Sequence, residues 1–449
     1  MQTVDVIIIG SGQGGVPLAT ALAERGQRVV LFERARLGGS CVNYGCTPSK
    51  AFLGAAHAAG RARQAARLGV NAEIRVDFAA VMHRVRQMAE QSSAHVRQRL
   101  EKAGVRIIHA EARFEGARRV SGGGHSFEAR TVIINTGSAP ALPDLEGLQA
   151  VPYRTYLDFW DLEALPRRTL VLGGGYIGLE LGQGLARLGS EVHIIEPGQR
   201  VLAREAARVG ETLRRALEAD GVHFHLGARA QRVGRVGETL QLELESGRVL
   251  EADLLLVATG QRPNTGALNL SAAGIETDAR GYVRADARLR AAEGVYVIGD
   301  AAGQPPFTHV AWEDHRRVLD ALEGRTRSRD DRVLGYAVFT DPQVGRVGLD
   351  EQQAREQGLD ARSVTLEVSD VARAHEFGQE SGFYGLLVER GSDRILGATL
   401  VGPEAAEVVH TVLAHMEAGS TWRALEAAQH IHPTYAEGLP TLARQLLED

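Results

Sequence analysis

The chain has 449 residues, 44% apolar, with 52 glycines, two cysteines, and 56 acidic against 51 basic residues for a net charge of −5. That length suits about three domains with their own cores; together with 24% charged residues it excludes a disulfide-stapled module, a disordered chain and a collagen. The acid–base balance argues against a nucleic-acid surface, no run reaches the roughly 18 apolar residues of a membrane span, and the start Met1-Gln2-Thr3-Val4-Asp5 lacks a signal-peptide pattern, so a cytoplasmic protein without membrane or nucleic-acid partners is expected.

In chain order, Val4 to Ile9 reads as a strand, Gly10-Ser11-Gly12-Gln13-Gly14-Gly15 as a tight turn, Val16 to Arg25 as a helix, and Val29 to Phe32 as a strand ending at Glu33. Cys41 and Cys46 follow, with Thr47-Pro48 reading as the start of another helix. Thr131 to Asn135 is a strand running into Thr136-Gly137. The first pattern then repeats: strand Thr169 to Leu172, turn Gly173-Gly174-Gly175-Tyr176-Ile177-Gly178, helix Leu179 to Leu188, and strand Val192 to Ile195 ending at Glu196. Glycine and acid stand 23 positions apart in both units, and both recur at an offset of 163. Leu254 to Ala258 closes the second unit and leads into Thr259-Gly260; Val295 to Ile298 is a further strand ending at Gly299-Asp300. A helical run and an Arg/Asp-rich linker near 325–332 precede a remainder, from about Leu334, that carries no glycine fingerprint and reads as α+β.

Each glycine triplet allows a tight turn, a close approach of backbone to a pyrophosphate, and a helix amino terminus facing the anion, while the acid at the end of the second strand suits ribose hydroxyls. Two such sites on one chain imply hydride transfer between two cofactors, a flavin that stays and a nicotinamide that exchanges. Glu196 disfavours a 2′-phosphate, which predicts NADH over NADPH; Arg200 and Arg204 downstream keep NADPH possible.

Two close cysteines in a reducing compartment suggest redox chemistry or metal binding rather than a structural bridge. Four residues separate them and no second pair completes a tetrahedral site, so no metal is expected there. Cys46 just ahead of a helix start is placed for a dipole-stabilised thiolate. His223-Phe224-His225 puts two imidazoles on one strand face, a spacing open to metal, although the plain reading is two surface histidines.

These segments, with Ala258-Thr259-Gly260-Gln261-Arg262-Pro263-Asn264, Tyr296-Val297-Ile298-Gly299-Asp300 and His432-Pro433-Thr434-Tyr435-Ala436-Glu437, resemble the FAD-dependent pyridine nucleotide–disulfide oxidoreductases over essentially the whole chain. The resemblance implies that Cys46 is the thiol nearest the flavin, that Cys41 is the outer thiol, and that Lys50 and Glu180 form an ion pair beside the flavin. Lysine at position 50 stands out in a chain whose only other lysine is Lys102. His432, supplied by the second subunit of a homodimer, would be acid and base to the outer thiol, oriented by Glu437.

The same resemblance implies FAD contacts from Gly10, Gly12, Gly15 and Glu33, from Gly39, Ser40 and Lys50, and from Ala112, Thr136, Gly137, Asp300 and Thr308. The nicotinamide site would use Gly173, Gly175, Gly178, Glu196, Gly260 and Arg262. The expected fold is α/β, with two Rossmann-like dinucleotide-binding domains (FAD, 1–150 and 275–330; NAD, 151–274) and an α+β dimerisation domain (331–449). The Phe339 to Gly348 and Val371 to Ala374 segments look closest to a mercuric-reductase-like branch. The sulfur count nevertheless favours a lipoamide-like or other disulfide acceptor, because beyond the redox pair no cysteine is left to relay a metal ion. Alternatives are a mercuric- or cupric-ion reductase, a quinone reductase, and a flavin-binding redox sensor or complex subunit.

Overall fold

The computed structural model describes residues 2–325 and 327–447. The first glycine unit forms the centre of a largely parallel sheet in which Gln2–Ile9 lies between Val29–Glu33 and His125–Ile134, flanked outside by Arg106–His109 and Val295–Val297. These strands are nearly continuous apolar runs because both faces are covered. Ile7, Val30 and Val132 pack into one cluster, and Ile8, Leu31 and Ile133 into another on the opposite face. His125–Ile134 starts six residues before its expected beginning, since its alternating polar amino-terminal half pairs antiparallel with Arg119–Gly122.

The repeat builds a second parallel sheet, ordered Val222–Leu226, Glu191–Glu196, Arg168–Leu172, Leu254–Val257. Helices cover one face, and the other faces an antiparallel meander of Ala230–Val236, Thr239–Leu244 and Val249–Ala252. A short antiparallel pair, Ser138–Pro140 with Gln261–Pro263, ties the two sheets together. Residues 335–447 add a five-stranded antiparallel sheet with helices Ala405–Glu417, Trp422–Ala427 and Gly438–Arg444, a separate α+β layer with its own core. The molecule is therefore α/β with two Rossmann-like sheets and an α+β carboxy-terminal part. No helix among the described residues is long and apolar enough to cross a membrane.

The repeat explains its glycines through atomic contacts. A Cβ on Gly15 would lie 2.3 Å from the Gly10 carbonyl oxygen, and one on Gly178 would lie 2.1 Å from that of Gly173. Each helix thus sits too close to its strand for any side chain at that position.

Candidate functional site: a dithiol in a dinucleotide-sized cavity

A cavity of about 1440 Å³ opens along the first sheet and reaches helix Tyr176–Leu188 of the second unit and the carboxy-terminal sheet. Gly10, Gly12 and Glu33 line one end; Gly39, Ser40, Cys41, Cys46 and Lys50 line its middle; Ala112, Thr136, Gly137, Asp300, Thr308 and Glu180 complete the wall. Gly15 stands behind the turn, where it lets the helix close on the strand. The Glu33 carboxylate accepts from Ser11 N (2.9 Å), Ser11 Oγ (2.7 Å) and Ala35 N (2.8 Å), which braces the turn. Glu196 does the same in the second unit, accepting from Gly174 N (2.8 Å) and Gly198 N (2.7 Å). The acid that suits a ribose therefore also holds its glycine turn.

The wall fits the expected FAD. Thr136 Oγ1 and Asn43 Oδ1, both in the cavity lining, are buried without a hydrogen-bond partner, a costly arrangement unless a ligand supplies one. Burial pushes the Asp300 carboxyl above the usual carboxylate range even though it accepts a hydrogen bond from Ser138 Oγ.

No disulfide joins Cys41 and Cys46 in this structure. Gly39–Asn43 is a short helix that carries Cys41; the next helix, Cys46–Gln64, begins on Cys46 itself rather than one residue later. Cys46 at this amino terminus also meets Thr308 Oγ1 at 3.0 Å, and Thr308 is the first residue of helix Thr308–Leu322. The Cys46 thiol is pushed down to about 6, chiefly by the hydrogen bond from Cys41, with help from Thr308 and the Lys50 charge. Cys41 is pushed up, because its proton is shared with Cys46 and because it is buried. The pair therefore carries one proton and one negative charge near neutral pH, with the charge on Cys46.

Lys50 Nζ donates to Glu180 Oε2 at 2.8 Å and lies 4.4 Å from the centre of the Phe339 ring. Glu180 is buried, and its other oxygen accepts from Phe339 N (2.9 Å). The two helices that carry this pair interlock: Phe52 fills the notch at Gly184, where a Cβ would lie 2.4 Å from its ring, and Arg187 fills the notch at Gly60. Arg187 is anchored in turn by Asp220 and Asp341, each at 2.8 Å. Sequence reading missed this network, because the signal is a pair of small residues on helices far apart in the chain.

The remaining expected residues lie elsewhere. Gly173, Gly175, Gly178 and Glu196 form the second turn, outside the lining of this cavity, and Gly260 follows the strand beside it. Arg262 lies on the bridging pair and lines the cavity rim. His432 Nδ1 meets Glu437 Oε2 at 2.8 Å, but neither residue lines the cavity, and the His432 side chain is 73% exposed. Arg373, in the segment noted from the sequence, donates to the Pro433 carbonyl at 2.7 Å and so holds the loop.

Comparison with known proteins agrees with this architecture. Residues 4–314 match the pyridine nucleotide-disulphide oxidoreductase family, and 335–443 match its dimerisation domain. The chain is 34% identical to a dihydrolipoyl dehydrogenase of Thermus scotoductus, over 99% of this chain and 98% of that protein. It is 32% identical to a mercuric reductase of Lysinibacillus sphaericus, over 98% and 82% respectively. The Cu(II) complex of the HOCl-induced flavoprotein disulfide reductase RclA from Escherichia coli superposes with a TM-score of 0.91 at 30% identity, covering 99% of this chain and all of that one. With a dithiol beside a dinucleotide-sized cavity, two glycine-turn sheets and matches along nearly its whole length, this chain belongs to the pyridine nucleotide-disulphide oxidoreductase family and is an FAD-dependent NAD(P)H disulfide oxidoreductase.

Proposed function

We propose that the enzyme is cytoplasmic, uses NADH, and reduces a disulfide acceptor through Cys41 and Cys46. The observation that carries this reading is the placement of Cys41 and Cys46 together in the cavity wall, with Cys46 at a helix amino terminus against Thr308 and Lys50 in the same lining. Gly10, Gly12, Glu33, Thr136, Gly137 and Asp300 line the cavity and would hold FAD, which would supply the redox chemistry between the nicotinamide and the cysteine pair. Lys50 holds a positive charge beside Cys46 and is itself fixed by Glu180. Cys41 must lose its proton before it attacks, and the imidazole of His432 is the base that takes it. The Cys41 thiolate then attacks the acceptor disulfide, His432 returns the proton to the leaving thiolate, and Cys46 displaces the second thiol by attacking the Cys41 sulfur. Glu437 holds the imidazole in the tautomer and orientation this exchange needs.

Because His432 points to solvent in one chain, we assign it to the cavity of a second copy in a homodimer, so that neither subunit alone has a complete site. The domain division that follows is FAD-binding for 1–150 with 275–330, NAD-binding for 151–274, and dimerisation for 331–449. The test is NADH oxidation with lipoamide, glutathione disulfide, mercuric ion, cupric ion and a quinone, each against Cys41→Ser. Turnover with a disulfide that Cys41→Ser abolishes supports the reading. Turnover with only a metal ion or a quinone overturns it.

A further inference from the structure

Away from the dithiol, the edge of the second sheet gathers three imidazoles and a carboxylate. Strand Glu191–Glu196 lies parallel to Val222–Leu226, with His193 opposite His223. Alternation sends Val192, Ile194 and Val222 into the core under the helices, so His193, His223 and His225 share the other face, and Glu191, two residues before His193, joins them. The His193 ring stacks on His223 at 4.8 Å and on His225 at 5.3 Å. His193 Nε2 is 3.0 Å from Glu191 Oε1, and its Nδ1 is 3.0 Å from His225 Nε2. One ligand atom each from Glu191, His193 and His223 lies within 4.8 Å of the others.

We propose that Glu191, His193 and His223 bind a divalent first-row transition ion such as Zn²⁺, with His225 holding the His193 ring through Nδ1. Imidazole and carboxylate donors suit zinc, copper and nickel, and the absence of sulfur among them sets this site apart from the dithiol. Donor atoms about 2.0–2.2 Å from one ion stand about 3 Å apart, the spacing Glu191 Oε1 and His193 Nε2 already have. His225 fits the role of ring-holder. Its Nε2 stands 3.0 Å from His193 Nδ1, where it can accept a hydrogen bond from the His193 Nδ1–H and fix the ring. Glu191 and His223 are exposed, which gives an ion its way in. The ion would clamp the edge strand to the strand that ends in Glu196, the acid bracing the second glycine turn.

The experiment uses the full-length flavoprotein with Cys41→Ser and Cys46→Ser, so that no thiol can take the metal. Zn²⁺ alone is added, the protein is gel-filtered, and bound zinc is counted; Co²⁺ is added in parallel for its visible spectrum. The expected result is one zinc per chain, a raised thermal midpoint, and a cobalt spectrum of nitrogen and oxygen ligands. His223→Ala should lose the stoichiometric zinc, and His225→Ala should weaken it about 10- to 100-fold. Glu191→Gln, at an exposed position, guards against a folding defect and should also weaken binding. Absence of zinc from the cysteine-free protein, or binding undiminished in His223→Ala and Glu191→Gln, overturns the proposal.

Discussion

Cys46 combines four stabilisers of negative charge: the hydrogen bond from Cys41, a helix amino terminus, the Thr308 hydroxyl and the Lys50 ammonium. Replacing Lys50 by Met removes the cation and leaves the Glu180 carboxylate beside the thiol, and both changes disfavour the thiolate. The Cys46 pKa should therefore rise from about 6, read as a shift of the pH profile of iodoacetamide alkylation to higher pH. Thr308→Val should move it the same way, because one hydrogen bond to the thiolate is lost. His432 is the residue expected to move the proton of Cys41. His432→Ala should lower turnover with a disulfide by about 10² to 10⁴ while NADH still bleaches the flavin at its normal rate; unchanged disulfide turnover would remove His432 from the mechanism. At Glu196, one oxygen accepts from Gly174 N of the second turn and the other from Gly198 N two residues on. A 2′-phosphate would meet that carboxylate, so kcat/KM with NADH should exceed that with NADPH by at least about tenfold.

The elements explain how these residues meet. The strand–turn–helix units place each acid against its own turn because the third glycine lets the helix close on the strand. Gly178→Ala would drive a methyl group into the Gly173 carbonyl. That overpacking should cost about 1–3 kcal/mol, expressed as a higher KM for NADH with flavin content retained; Gly15→Ala should instead yield flavin-poor protein, judged by visible absorbance. The helices Cys46–Gln64 and Tyr176–Leu188 can bring Lys50 to Glu180 only because Phe52 and Arg187 each enter a glycine notch on the other helix. Gly184→Leu should push the helices apart and slow flavin reduction without removing either charged group, a result stopped-flow absorbance would report.

The whole molecule adds what one chain lacks. Ile431 is 80% exposed beside His432, on the part of the chain that matches a dimerisation domain. A second copy that buried Ile431 and received His432 would account for both. Mixing Cys41→Ser and His432→Ala proteins through an unfolding and refolding cycle should regain turnover that neither has alone, since each hybrid dimer would contain one intact site; no recovery would place the histidine in its own chain's site. The sequence by itself determined the two cofactor turns, their acids and the cysteine pair, because that chemistry is local: a glycine triplet, a strand end, and a thiol at a helix start lie within a few residues of one another. It also held the His432 and Glu437 contact, five residues apart. The pairing of Lys50 with Glu180, 130 residues apart, was expected from the family resemblance and not from local spacing; only the tertiary structure decided that Thr308 reaches Cys46 across 262 residues and that His193 joins His223 and His225 across a strand pair. Those meetings depend on how closely helices and strands pack, and that closeness is set by side-chain shape at glycine notches and by sheet register, which no local spacing in the chain records.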